Sequence, residues 1–279
     1  MELKLAELIK VILIGIIEGV TEWLPISSTG HMLLFDAFVP LEMSENFKEM
    51  FFVVIQLGAI MAVVVMFRKK LFPFSVADKK LRINNEITAM WFKVIAGCLP
   101  AAVLGLIFDD FLEKHFGNAF TIALMLIIYG IAFIFVENRN KNSSPKINSI
   151  AKIDYKTAII IGFFQALSMI PGTSRSGATI IGALLIGVSR TTAAEFTFFL
   201  AIPTMLGASA LKILKFGLDF IGAEILVLII GMVVAFAVSL FVIKFLMEYV
   251  RKHDFKVFGY YRIVLGALVI LASLISSKI

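Results

Sequence analysis

The chain has 279 residues, 60% of them hydrophobic and only 16% charged, with 27 phenylalanines and a formal net charge of +6. Soluble domains run near 45–50% apolar and about 25% charged, so the composition excludes a soluble globular protein and describes a polytopic membrane protein. The Lys and Arg residues gather in loops between apolar segments, which is a topology signal and argues against nucleic-acid binding. Cys98 is the only cysteine and lies in an apolar run, which excludes a disulfide framework and a cysteine-based metal site.

At the N-terminus, Glu2, Lys4, Glu7 and Lys10 interrupt any apolar signal core, so no cleavable leader is expected. The first apolar stretch, 5–38, is broken in its middle by Glu18-Gly-Val-Thr-Glu22-Trp-Leu-Pro-Ile-Ser-Ser-Thr-Gly-His31. Three segments long enough to span a bilayer follow, near 48–67, 92–109 and 119–136. The Asn/Ser/Lys-rich stretch 138–153 reads as a linker. A second broken apolar stretch, 157–189, carries Pro171-Gly-Thr-Ser-Arg-Ser-Gly-Ala-Thr179, and spans near 191–211, 220–245 and 259–277 complete the chain.

Each broken stretch reads as helix, Pro-containing break, helix. Irregular backbone at membrane depth is tolerated only when it is buried in protein or lines a wet cavity. Both are therefore expected to be re-entrant hairpins that enter and leave on one side. Loop charges agree with that reading. Arg68, Lys69, Lys70, Lys79, Lys80 and Arg82 make one loop basic. Arg139, Lys141, Lys146, Lys152 and Lys156 do so for the linker, and Lys244, Arg251, Lys252 and Lys256 for a third loop. These three are assigned to the cytoplasm. Segment 36–49 and an expected turn around Asp109, Asp110 and Glu113 are acidic and fall outside, as do both termini.

The two halves are alike. Gly15 to Gly30 and Gly162 to Gly177 enclose the same length, each with a proline and a run of hydroxyls, and Glu49-Met-Phe-Phe echoes Glu195-Phe-Thr-Phe-Phe. The expected fold is all-α: six transmembrane helices and two re-entrant helical hairpins in a single integral-membrane domain. Repeat one covers 1–137 and repeat two 154–279. Three spans per half invert the second copy, the architecture of many transporters with a site at the repeat interface.

The chemistry sits in the two breaks. Glu18 and Glu22, four residues apart, share a helix face. Two close carboxylates in low dielectric call for a cation, and Mg²⁺ held by one or two carboxylates and by substrate phosphates is the usual solution. Ser27, Ser28 and Thr29 are N-cap types at the start of the second arm, where free N–H groups favour an anion. His31 follows Ser28 by three residues, near enough to serve as its proton partner. Ser174, Ser176 and Thr179 repeat the hydroxyl set, and Arg175 adds a planar fork that matches phosphate oxygens. No acidic residue lies within ten positions of Arg175, so its partner must be a ligand or the other hairpin. Two helix N-termini, one arginine and two glutamates read as a pocket for a diphosphate and a metal.

Glu18-x-x-x-Glu22 with Pro25-x-Ser-Ser-Thr-Gly-His31, and Pro171-Gly-x-Ser-Arg-Ser-x-x-Thr179, resemble the two signatures of the bacterial undecaprenyl-diphosphate phosphatases of the bacitracin-resistance type. The resemblance covers nearly the whole chain. It implies a multi-pass enzyme of the bacterial inner membrane that cleaves undecaprenyl diphosphate to undecaprenyl phosphate and inorganic phosphate. That reaction recycles the lipid carrier for peptidoglycan synthesis and gives bacitracin resistance. The family's functional residues fall on Glu18, Glu22, Ser28, His31, Ser174, Arg175 and Thr179. The resemblance further implies a site facing the outer leaflet, dependence on a divalent cation (Mg²⁺ or Ca²⁺) and a homodimer. One local departure is Phe51-Phe52, where the family often has an acidic residue; Glu49 lies nearby. A second phosphatase class with a Pro-Ser-Gly-His element is excluded, because no suitably spaced His and Asp follow the Ser-Arg element here.

In the expected mechanism Arg175 and the helix N-termini, with Ser27, Thr29, Ser174, Ser176 and Thr179, hold the diphosphate. Glu18 and Glu22 bind the metal or handle protons. Ser28 or a water attacks, with His31 as proton partner. The alternative function is a flippase for polyprenyl phosphate, motivated by the inverted repeats. A carrier needs a phosphate cradle but no base beside a hydroxyl, so the Glu/Ser/His cluster favours hydrolysis.

Overall fold

In lipid every backbone N–H needs an acceptor within its own segment, so long apolar runs fold as helices. The computed structural model describes residues 4–77, 80–217, 220 and 222–275, which are helical apart from loops and one β-hairpin. Helices α1 (Leu5–Thr21) and α2 (Ser28–Phe38) form the two arms of the first broken stretch. Helices α3 (Glu45–Val54) and α4 (Gln56–Met66) interrupt only at Ile55 and together make a 22-residue span. The short α5 (Arg68–Leu71) leads into strands β1 (Phe74–Ala77) and β2 (Lys80–Ile83). Then come α6 (Asn85–Phe116) and α7 (Ala119–Asn140), a 3₁₀ turn at Ile150–Lys152, and the second broken stretch as α8 (Tyr155–Leu167) and α9 (Arg175–Leu185). Helices α10 (Arg190–Phe216), α11 (Gly222–Tyr249) and α12 (Lys256–Ile275) follow.

Six stretches among the described residues are long and apolar enough to cross a bilayer: the α3–α4 pair, α6, α7, α10, α11 and α12. Their outer faces leave Leu106, Phe120 and Phe241 exposed for lipid contact. The protein is a multi-pass membrane protein. Polar N-caps set several helix starts. Ser44, Asn118, Asp154 and Ser189 each accept from the N–H three residues on, satisfying a donor that has no intrahelical partner.

Two local expectations are corrected. The basic loop after the first span is not irregular throughout: β1 and β2 pair antiparallel, with Phe74 opposite Ile83. The alternation Lys80-Leu-Arg-Ile83 carries a strand period that its charges mask in a hydropathy reading. Lys79 lies outside the described residues. The expected turn at Asp109, Asp110 and Glu113 does not form. The backbone of α6 stays helical through all three and reverses only at Gly117-Asn118. Nothing in 109–113 breaks a helix, whereas Gly117 and the N-cap Asn118 do.

Loop contacts sort the chain ends of the helices into two groups. At one end, Glu42 N–H donates to Glu7 Oε2 (2.9 Å) and Lys10 Nζ to the Pro40 carbonyl (2.7 Å), so the chain leaving α2 returns to where α1 begins. Lys48 pairs there with Asp36 (3.6 Å) and Lys212 with Glu49 (3.7 Å). At the other end of the same spans, Lys70 pairs with Glu195 (2.7 Å) and Arg190 Nε with Glu137 (2.9 Å), and Lys256 Nζ reaches Asn138 (3.3 Å). The second broken stretch closes at this end: Lys146 N–H donates to the Gly187 carbonyl and Ser189 N–H to that of Ile147, both at 2.8 Å.

The halves interlock. Helix α1 packs on α11 and α8 on α6, while α2 meets α12 and α9 meets α7. Helices α7 and α12 pack tightly where Gly130 and Gly259 face one another. A Cβ on either would sit 2.7 Å from the other's carbonyl oxygen. Small residues at such a crossing let backbones approach without a hydrophobic drive, which lipid does not supply. The main core is built from both halves: Trp23 and Ile26 of the first break pack with Phe196, Phe198 and Phe199 of α10.

Candidate active site

The two breaks meet at the centre of these interlocked helices. Each ends in a serine with left-handed backbone, Ser27 (φ 74°) and Ser174 (φ 68°), the only non-glycine residues with positive φ among those described. A non-glycine residue there is strained by roughly 1–2 kcal/mol and persists only where the surroundings impose it. Both serines stand at the same distance in sequence from Gly15 and Gly162, and both cap the following helix. Ser27 Oγ accepts from Gly30 N–H (3.4 Å), and Ser174 Oγ accepts from Gly177 N–H (3.2 Å). The second break also needs Gly172 (φ 91°), where a Cβ would lie 2.5 Å from the Ile122 carbonyl oxygen.

Glu22, the first residue past α1, joins the breaks. Arg175 Nη2 donates to its Oε1 at 3.1 Å, and Ser28 Oγ donates to its Oε2 at 2.9 Å. Both ion-pair partners are almost fully buried. The second guanidinium arm, Nη1, donates to the Thr197 carbonyl on α10 at 2.9 Å. Thr179 bonds the Thr197 hydroxyl (2.8 Å) and donates back to the Arg175 carbonyl (2.9 Å), so the first turn of α9 is clamped against α10. Ser176 Oγ reaches across to the Glu22 carbonyl (3.2 Å), satisfying an acceptor that the end of α1 leaves free. Ser174 Oγ lies 3.2 Å from Ser176 Oγ.

Two expected residues stand apart from this cluster. Thr29 is exposed and makes no side-chain hydrogen bond that joins it to the others among the described residues. His31 does not pair with Ser28. Its Nδ1 lies 2.7 Å from the Ser27 carbonyl and its Nε2 lies 2.7 Å from the Tyr261 hydroxyl. The helical spacing brings His31 and Ser28 to one face, but the Ser28 hydroxyl turns back to Glu22 while the imidazole turns to α12.

Glu18 is 1% exposed. Its Oε1 has no hydrogen-bond partner among the described residues; nor do Trp23 Nε1, Gln165 Oε1, Thr173 Oγ1 and Arg175 Nε. All five atoms sit in or beside the two breaks. Buried polar atoms are normally paired, so these open donors and acceptors set the two breaks apart from the rest of the described interior. No group of three or more His, Cys, Asp or Glu side chains poised for a metal exists among the described residues.

Reading the motifs missed Arg262. It is fully buried in α12. Its Nη2 donates to the Gly172 (3.0 Å) and Thr173 (2.9 Å) carbonyls of the second break, and its Nη1 donates to the Pro25 carbonyl (3.3 Å) of the first. Nε reaches the Leu126 carbonyl on α7 (3.4 Å). One side chain thus pins both breaks. The signal was available: a cation inside an apolar span marks a site by default.

The family model described as bacitracin resistance protein BacA matches residues 11–268. A relative from Enterococcus faecalis named undecaprenyl-diphosphatase is 65% identical over 99% of this chain and 100% of its own length. One of the same name from Desulfitobacterium hafniense is 60% identical over 96% of this chain and 97% of its own. Undecaprenyl-diphosphatase 1 of Clostridioides difficile is 55% identical over 96% of each. By the extent of these matches, the chain belongs to the BacA bacitracin-resistance family.

Proposed function

We propose that the protein hydrolyses undecaprenyl diphosphate to undecaprenyl phosphate and inorganic phosphate, and so recycles the lipid carrier for peptidoglycan synthesis and confers bacitracin resistance. The names of its relatives support the activity. The observation that carries the reading within the structure is the Ser28–Glu22–Arg175 chain, in which one carboxylate holds a hydroxyl from its own break and a guanidinium from the other. A hydroxyl donating to a carboxylate is an activated-nucleophile arrangement, and a guanidinium beside it is a phosphate clamp.

Phosphate oxygens compete with Glu22 for Arg175. Once the guanidinium bonds the terminal phosphate, Glu22 keeps the Ser28 hydroxyl as its remaining donor. Glu22 then takes the proton of the attacking group, Ser28 Oγ or a water held in its place, as a new P–O bond forms. The bond from the terminal phosphorus to the bridging oxygen breaks, and undecaprenyl phosphate leaves with the electron pair. If Ser28 attacks, a water releases the phosphate from it in a second displacement. The N-termini of α2 and α9 point free N–H groups at such an anion. Glu18 and Glu22 suit a divalent cation, Mg²⁺ or Ca²⁺, because the open Glu18 Oε1 lies one helical turn from Glu22. Glu18 and Glu22 would hold it, and when bound it would supply neutralisation of the charge that develops on phosphate.

The re-entrant, inverted arrangement extends this reading. The return of each broken stretch to its own end supports two hairpins, and the exchanged packing of α1 on α11 and α8 on α6 supports two related halves. The acidic end with Lys4 and segment 36–49 then faces outward with both termini, and the site opens to the outer leaflet, in a protein that also forms homodimers. The interlocked halves favour one second reading, a flippase for polyprenyl phosphate. The test is phosphate release from farnesyl diphosphate by purified protein in detergent, with and without Mg²⁺. Release that needs the cation and fails in Glu22→Gln supports hydrolysis. Absence of release, with lipid phosphate crossing liposome bilayers, would replace it by transport.

A further inference from the structure

Tyr261 belongs to neither sequence motif, yet its hydroxyl lies 2.7 Å from His31 Nε2. The other ring nitrogen, Nδ1, is 2.7 Å from the Ser27 carbonyl oxygen. A carbonyl can only accept, so Nδ1 carries the hydrogen, and in the neutral ring Nε2 keeps its lone pair. The phenol is the donor to that lone pair. The two rings lie nearly parallel, at 9° with centroids 5.6 Å apart. No carboxylate bonds the imidazole among the described residues, so the orienting role that an acid often plays beside a catalytic histidine falls to one carbonyl and one phenol.

Both partners are themselves held in place. The Ser27 carbonyl is aimed by the left-handed backbone that also lets Ser27 cap α2. Tyr261 is adjacent in sequence to Arg262, whose bonds to the Pro25, Gly172 and Thr173 carbonyls fix the rotation of α12 against both breaks. The helix that pins the site therefore also aims the phenol at His31.

We propose that Tyr261 is a positioning residue for His31. It holds the ring in place by its bond at Nε2, the one ring nitrogen the Ser27 carbonyl does not engage, and it acts on turnover only through that ring. The proposal rests on the reading of Ser-Ser-Thr-Gly-His31 as a signature element, in which His31 is a proton partner in hydrolysis beside Glu22.

The test uses full-length protein purified in detergent, with farnesyl diphosphate as probe. Correct placement of an acid–base group is a share of its roughly 10²–10⁴-fold contribution, so Tyr261→Phe should lower kcat about tenfold and leave KM within about twofold. In a His31→Ala background the same substitution should change nothing further, whereas a structural role would subtract equally in both backgrounds. Nitrogen-15 spectra of histidine-labelled protein give a readout independent of activity, and the chain has only 3 histidines to assign. His31 should show a protonated Nδ1 and an unprotonated, hydrogen-bonded Nε2 in the wild type, and in Tyr261→Phe the Nε2 shift should move to that of a ring nitrogen accepting no hydrogen bond. A proton on Nε2 in the wild type, an unchanged kcat in Tyr261→Phe, or an equal loss in the His31→Ala background would overturn the proposal. Full activity of His31→Ala alone would remove His31 from the reaction and end the kinetic half of the proposal. That failure is distinct, because the spectra still report whether Tyr261 bonds Nε2.

Discussion

Ser27 and Ser174 share one backbone conformation and one capping bond, yet the residues around them differ in kind. The first break is flanked by Glu18, Glu22, Ser28 and His31, and the second by Gln165, Arg175 and Thr179. Gln165 lies in the last turn of α8 as Glu18 does in that of α1, and Arg175 opens α9 where Ser28 opens α2. The same helix–break–helix frame thus carries anion and hydroxyl in the first break and cation and bracing hydroxyls in the second. Neither break satisfies its own charge. Burial of a lone carboxylate or guanidinium is costly, so each break depends on the other, and the pair Glu22–Arg175 is where that dependence is concentrated.

The strongest way to break the comparison is to leave one charge without its partner. Removing either charge by Glu22→Gln or Arg175→Gln should destabilise the protein by about 3–5 kcal/mol, and the double variant should recover much of that loss while staying inactive. Unfolding of the purified variants in detergent reads this out, and strictly additive losses would show that the two breaks are energetically independent. Next in size is Arg175→Lys, which keeps charge but loses the planar fork. Turnover should fall by about 2–4 kcal/mol in barrier, by analogy with removal of one oxyanion donor. Near-normal phosphate release would reduce Arg175 to a point charge.

Arg262→Met tests whether one side chain serves both breaks. It leaves the carbonyls of Pro25, Gly172 and Thr173 without their donor, and each buried acceptor left open costs about 1–3 kcal/mol. Loss of stability together with loss of substrate affinity is the expected result, and a stability loss at unchanged KM would confine Arg262 to scaffolding. The smallest effect isolates the frame itself. Ser27→Gly and Ser174→Gly each relieve a left-handed serine and give up a cap worth only a few tenths of a kcal/mol relative to glycine. Melting temperatures should shift slightly and equally in the two variants. A large shift in one alone would mean that the breaks share geometry but not energetics.

The two ends of the molecule offer a separate check on orientation. In a Cys98→Ser background, a cysteine at Ser44 should react with a membrane-impermeant reagent in intact cells, and one at Ser143 should not. The reverse pattern would turn the protein over in the bilayer.

Much of this was legible in the chain. Six apolar runs, two interruptions holding proline and hydroxyls, and the charges of the loops follow from the cost of placing polar groups in hydrocarbon, which acts on each segment by itself. The residue types in the breaks were legible for the same reason: Glu18, Glu22 and Arg175 are too expensive in lipid to stand there without a partner. Local signals failed where another element decides the outcome. Helicity through 109–113 and the β1–β2 pairing depended on what the backbone does next, not on charge. The partner of Ser28 turned out to be Glu22 rather than His31, because i,i+3 spacing brings side chains near without choosing between a neighbour on the same helix and the end of the preceding one. Arg175 meeting Glu22, Tyr261 meeting His31 and Arg262 reaching both breaks join residues far apart in sequence. No periodicity encodes such contacts; they exist only once α1, α9 and α12 have packed against one another, since packing alone fixes which buried donor faces which buried acceptor.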